Sequence, residues 1–219
     1  MFMGVLEPMP DKTTTNMKKF GVIFSCLAML FVSCEQNGPD GTASLNGHEC
    51  VDLGLSVRWA TMNVGAESPE QAGAAFAWGE TKVKSTYTYE TYFYEHDGSA
   101  TLKPENDAAH VHWGGRWRMP TAEEWKELQA YCTWTWIEKN GVYGYEVSSM
   151  TNGNSIFLPA THNLHANYYA SGIYWSSNGS ASAYGYPKGF GTSLEINGER
   201  ISRESRSSYE GSYIRPVCK

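Results

Sequence analysis

Basic charge is scarce in this chain. Lys and Arg number 17 against 23 Asp and Glu, a formal net charge of -6. Beyond the first twenty residues no run of Lys or Arg occurs. The electrostatic footprint that holds a phosphate backbone is therefore missing, and nucleic acid is not expected as a partner. Arg200, Arg203 and Arg206 do cluster, but Glu199 and Glu204 are interspersed among them, the pattern of a solvated strand or loop face. Long apolar runs are equally rare. The longest, Phe20 to Val32, falls short of the roughly 20 residues a helix needs to cross a bilayer. The sequence also lacks G-x-S-x-G, a P-loop and a dinucleotide fingerprint, so the hydrolase, nucleotide and nicotinamide classes that use them have no motif here. No solenoid period or low-complexity tract is found.

What the chain does contain begins with an address. "MKKFGVIFSCLAMLFVSC", from Met17, places two lysines before the apolar run and closes on Ser33 and Cys34, the plan of a signal peptide. The ending "FVSC" is similar to a bacterial lipobox, which implies cleavage before Cys34 and acylation of its sulfur. Residues 1–16 carry Glu7, Pro8, Pro10 and Asp11, which a signal does not need, and Met17 is the alternative start. Residues 1–33 are thus expected to be a signal peptide and 34–47 a polar, glycine-rich tether. A folded domain is expected over 48–219. The membrane is met through the lipid anchor alone, each buried acyl methylene contributing ~0.8 kcal/mol. The expected location is the cell envelope, at the outer membrane, facing either the periplasm or the outside.

The 22 glycines, 14 tyrosines and 8 tryptophans favour short strands joined by turns over a helical bundle. "VDLGLSVRWATMNVGA" suggests a hairpin-like opening, "GAAFAWGE" a small-residue strand and "GGRWRM" a strand with room for a crowded neighbour. "YTYETYFYEH" alternates, slips phase at Glu90 and Thr91, and alternates again, which predicts a bulge or corner with half the aromatic face exposed. Thr121 and Glu124 form a capping box after Pro120, so a helix is predicted near residues 122–132, with Trp125, Leu128 and Cys132 on its buried stripe. "TWTWI", "VYGYEVSS", "NSIFLPA", "GIYWSSN", "ASAYGYP", "GTSLEING" and "GSYIRPVC" are further short strands separated mostly by Gly, Asn and Ser.

Of the 5 cysteines, Cys26 leaves with the signal and Cys34 takes lipid. Cys50 and Cys218 fall near the two ends of the domain, so a disulfide between them would clasp its termini. It would contribute roughly 5 kcal/mol in the chain-entropy picture; two separate thiols are the alternative. Cys132 is expected to be a buried small hydrophobe. His110 and His112 would share one face of a strand without a third metal ligand, and His162 with His165 is expected in a loop. Glu105, Asn106 and Asp107 lack EF-hand spacing, so turn chemistry is expected there and no metal site is assigned. Trp113, Trp117 and Trp125 are assigned to the core, while Tyr168, Tyr169, Tyr174 and Trp175 in "NYYASGIYWSS" are the candidate loop aromatics for stacking on a ligand.

Taken together, "VDLGLSVRWATMNVGA", "FAWGE", "PENDAAHVHWGG", "GGRWRMPTAEEWKEL", "NGNSIFLPA", "GIYWSS" and "YIRPV" resemble the Fibrobacter succinogenes major paralogous domain family of Bacteroidetes lipoproteins, over about residues 48–218. That family is similar in turn to the C-type-lectin-like and formylglycine-generating folds. The resemblance implies an α+β domain of short, irregular antiparallel sheets with one clear helix, long loops and paired terminal strands, and makes a Cys50–Cys218 bridge sterically sensible. It implies no transferable activity. The copper-binding cysteine pair of the oxidases is matched by Cys218 alone in its region, and "KPEND" does not reproduce the calcium loop of sugar-binding lectins. The expectation is a non-catalytic, lipid-anchored binding protein for a glycan or protein, as an adhesin or appendage component, with no cofactor. An oxidase of the formylglycine-generating type and a structural surface subunit are the alternatives.

Overall fold

The computed structural model describes Met1 and residues 42–161, 170–181 and 188–219. Among the described residues, three small antiparallel sheets carry the domain. The first has the order β1-β2-β3-β10, from Thr42–Leu45, His48–Val51, Arg58–Ala60 and Val217–Cys218. The expected hairpin-like opening is β2 against β3, and the last strand closes on Arg58 and Trp59. The second sheet, β4-β5-β6, comprises Cys132–Lys139, Val142–Ser149 and Ser155–Pro159. The third, β7-β8-β9, comprises Ser171–Ser180, Phe190–Asn197 and Ile201–Ser207. Two helices are described: α1, Ala108–Trp113, and α2, Ala122–Tyr131. The architecture is sheet-rich with a small helical content, compatible with a mixed fold.

Helix α2 forms where local signals converge. The Thr121 hydroxyl accepts the Glu124 N–H at 3.2 Å, and the Glu124 carboxylate accepts the Thr121 N–H at 2.8 Å, so two donors of the first turn are satisfied reciprocally. Glu124 also receives both Arg118 amino groups, at 2.8 and 2.5 Å. Burial raises the Glu124 carboxyl, but the Arg118 hydrogen bonds and the Thr121 N–H outweigh it and hold the carboxyl below its ordinary value. Trp125 and Leu128 face inward, at 1 % and 0 % exposure, and Cys132 begins β4 directly after the helix.

Among the described residues the core divides into two clusters. One gathers Trp59, Trp125, Leu128, Val147, Leu158, Tyr174, Leu194 and Val217 from all three sheets and α2, with the Trp59 and Trp125 rings 4.6 Å apart. The other gathers Phe76, Trp78, Trp113, Trp117, Met119 and Trp175. Buried indoles usually find an acceptor for their N–H, although among the described residues Trp59 has none. Trp117 donates to Leu45 O, Trp175 to Phe76 O and Trp78 to Ser176 O, at 2.8 to 3.0 Å. Trp113, Trp117 and Trp125 are thus interior scaffold. Arg215, fully buried, ties sheets together through neutral oxygens alone among the described residues: Asn63 Oδ1, Ala60 O and Phe157 O at 2.8, 3.1 and 2.9 Å. Its desolvation pulls the guanidinium down to about 10.

Four local expectations are corrected. The tether does not extend over Thr42–Leu45, because Ala43 and Leu45 are buried and pair with β2. His110 and His112 lie on α1 rather than on a strand: Asp107 caps that helix by accepting the His110 N–H, a local bond that outcompetes extended pairing. The "GGRWRM" segment contributes a single bridge, Arg118 to Val217, since Gly114 and Gly115 adopt φ of 67° and 58° and turn the chain. "GAAFAWGE" contributes likewise one bridge, Phe76 to Ser212, and then a turn.

Candidate functional site

The aromatic tract between Tyr87 and His96 forms no strand, and its phase slip is a turn. The Thr91 N–H reaches Thr88 O at 3.2 Å, and the Thr91 hydroxyl closes the corner by accepting the Thr88 N–H at 3.0 Å. Past this corner the chain runs extended, and side chains alternate between core and solvent. Tyr92 is buried, and its hydroxyl donates to Trp78 O at 2.9 Å. Phe93 points outward at 78 % exposure. Tyr94 turns partly inward, packing against Trp78 with ring centroids 5.8 Å apart, and Glu95 is again exposed.

Across from this segment runs Gly79–Lys84. Gly79 has φ of +79°, and a Cβ there would sit 2.4 Å from the Tyr94 ring. The glycine thus allows a backbone turn and lets an aromatic ring lie against it. Glu80 Oε1 accepts the Phe93 N–H at 2.8 Å. The Lys84 ammonium pairs with Glu80 and donates to Thr91 O, with its Nζ 5.5 Å from the Phe93 ring centroid. Asn106, from the short 3-10 turn Pro104–Asn106, adds its amide, which reaches Gly79 O at 3.4 Å.

Together Gly79–Lys84, Phe93–Glu95 and Asn106 bound an open groove of about 600 Å³. This lies within the ~300–1,000 Å³ typical of small-molecule sites. Its floor is fixed: Tyr94 meets Trp78, Tyr92 and His96 edge-on. Burial raises the Tyr94 phenol above its ordinary value, so it stays a neutral hydroxyl at physiological pH. The chemistry on offer is an exposed ring, a carboxylate, an ammonium and an amide.

The residues expected to bind ligand are placed differently. Tyr174 and Trp175 lie on β7 rather than on a loop and are fully buried, so they present no face to a ligand. The reason is local. Trp175 pairs with Ser193 on β8, where Gly191 leaves space for its ring, and the Tyr174 hydroxyl donates to Pro159 O at 2.5 Å. Tyr168 and Tyr169 lie outside the described residues, as do His162, His165 and Cys34. His110 Nδ1 is 3.2 Å from Trp117 O and His112 Nε2 is 2.9 Å from Thr81 O, so the two rings serve different backbone partners. Among the described residues no group of three His, Cys, Asp or Glu is placed to hold a metal ion.

Cys50, Cys132 and Cys218 are buried thiols, none of them in a disulfide. The Cys218 thiol meets Cys50 by a hydrogen bond, which with burial raises it far above its ordinary value. Cys50 and Cys218 thus lie side by side as two thiols rather than as a disulfide. It also follows that Cys218 does have a second thiol beside it, supplied from the opposite end of the domain. Burial pushes Cys132 up to about 11, as expected of a small core residue.

No protein-family model, curated protein or solved structure matches this chain.

Proposed function

We propose that this is a lipid-anchored cell-envelope protein whose domain binds a glycan without transforming it. The single observation that carries the reading is the groove beside Phe93. Phe93 presents a large apolar ring at 78 % exposure beside a groove lined by polar side chains. Its backbone N–H is bonded to Glu80, and the Lys84 ammonium lies 5.5 Å from its ring centroid. A sugar ring offers C–H bonds on its face and hydroxyls around its edge, which suits an aromatic face bordered by a carboxylate, an amide and an ammonium. The "FVSC" sequence ending at Cys34 and the resemblance to Bacteroidetes lipoproteins support the envelope location. A lectin-like domain held on a lipid tether fits an adhesin or appendage component.

A glycan array probed with the full chain tests the binding reading. Saturable binding to a discrete set of saccharides is expected; a blank array alongside capture of a purified protein partner would contradict it. Incorporation of a labelled fatty acid, abolished by Cys34→Ala, is expected of the anchor.

One observation favours a second reading, an oxidase of the formylglycine-generating type. Cys50 and Cys218 form the thiol pair such chemistry needs, although both are buried from any substrate. Titration of the reduced protein with copper(I) separates the two: one equivalent held by the Cys50–Cys218 pair favours the oxidase, and no uptake leaves the binding protein.

A further inference from the structure

We infer that the groove between Gly79–Lys84 and Phe93–Glu95 takes a neutral saccharide presenting vicinal hydroxyls, stacked on Phe93 and hydrogen-bonded through Glu95 and Asn106. This rests on the binding reading above and specifies its ligand class and its site.

Three features of the groove select that class. The first is charge. Glu80 and Glu95 are matched in number by Lys82 and Lys84, so the lining carries no net charge, and the protein as a whole is acidic at -6. A polyanion such as a uronate chain is repelled at long range and, among the described residues, meets only Lys82 as a cation not already paired at the groove, because Lys84 is held by Glu80. A cationic ligand meets the opposing Lys82. A neutral ligand meets neither cost.

The second is backbone geometry. None of the lining residues belongs to a strand, so the groove offers no ladder of free N–H and C=O groups to an extended peptide. Its polar groups are side chains converging from three separate loop segments. Such a set suits hydroxyls, each of which can donate and accept at once: a carboxylate accepts from two neighbouring hydroxyls, while an amide does both.

The third is rigidity. Tyr94 is pinned against Gly79 and among three rings, and the Phe93 backbone is fixed by its N–H bond to Glu80, with the Lys84 ammonium 5.5 Å from its ring centroid. A platform already ordered loses little conformational entropy on binding, which matters for a weak, single-ring contact.

The test uses the full-length protein and titration calorimetry with neutral hexose oligosaccharides, a polygalacturonate oligomer and a tripeptide as probes. The wild type is expected to bind at least one neutral oligosaccharide and at least tenfold more weakly, if at all, the uronate and the peptide. Phe93→Ala is expected to lose at least tenfold, Phe93→Trp to retain binding, and Glu95→Gln to lose at least fivefold. Tyr143→Ala, which alters an exposed ring on β5, is expected to change nothing. Because Phe93 and Glu95 are exposed, thermal melting of these variants should match the wild type. Neutral-sugar binding that survives both Phe93→Ala and Glu95→Gln overturns the site while leaving the glycan-binding function standing. Tighter binding of the uronate, lost in Lys82→Met, overturns the ligand class. Tighter binding of the peptide, or no saccharide bound by the wild type, overturns this assignment together with the function it rests on.

Discussion

At the scale of single residues, the interior discriminates between polar groups that are partnered and those that are not. Ser149 is buried with its hydroxyl donating to Leu53 O at 2.6 Å and accepting the Thr151 N–H at 3.1 Å. Ser193 is fully buried, and its hydroxyl has no hydrogen-bond partner among the described residues. Ser149→Ala should therefore lower stability by about 1–2 kcal/mol, whereas Ser193→Ala should leave it unchanged or raise it by up to about 1 kcal/mol, measured from urea midpoints. The thiols behave as a second set. Burial suppresses the acidity of Cys132, and the Cys50 hydrogen bond together with burial suppresses that of Cys218, so their thiolate fractions at pH 8 are small. A thiol reagent should label neither in the native protein within minutes and both on unfolding; rapid native labelling would contradict their placement in the core.

At the scale of elements, α2 depends on its first turn. Thr121→Ala removes the acceptor for the Glu124 N–H and should cost about 1 kcal/mol, read from the same midpoints. Glu124 links this turn to pH. Its folded carboxyl titrates below the ordinary range, so its contribution is present above the ordinary carboxylate value and is lost as pH falls through the folded value. Glu124→Gln should flatten the acid limb of the stability curve and leave its shape near neutrality unchanged. This helix was legible in the sequence because cap, carboxylate and apolar stripe all lie within twelve residues of one another. Strands β4, β5 and β8 were legible for a similar reason: their in-and-out pattern is local, while β6 showed only as a short apolar run, and Gly, Asn or Ser marks most of their ends. Helix α1 was not. Its six residues are too few to show a helical period, and the alternation in "HVHW" imitates a strand; Asp107, buried and capping, was the signal that would have revealed it. Tyr174 and Trp175 were misplaced because an aromatic pair beside glycines reads equally well as an exposed loop or a close-packed strand. The neighbour that decides between them is Gly191, on a different strand.

At the scale of the whole molecule, the domain separates a tryptophan-rich interior from a groove assembled out of irregular segments. No local pattern announces that groove. Gly79, Phe93 and Asn106 come from three stretches that the fold alone brings together, and the sequence offered at most the prediction that half of the "YTYETYFYEH" aromatics would be exposed. The interior explains why the groove holds its shape, since Trp78 and Tyr92 are core residues and Tyr94 leans on both. Trp78→Ala should therefore do double damage, lowering stability by about 3–5 kcal/mol through the cavity it leaves and loosening the ring that floors the groove. Carbene footprinting of the full-length protein, with and without a saccharide found to bind it, is the most direct measurement of the central claim. Protection is expected at Gly79–Lys84 and Phe93–Glu95, with the β4–β5 hairpin unchanged. Protection confined to the hairpin or to Tyr168 and Tyr169, with Phe93 labelled equally in both states, would contradict it.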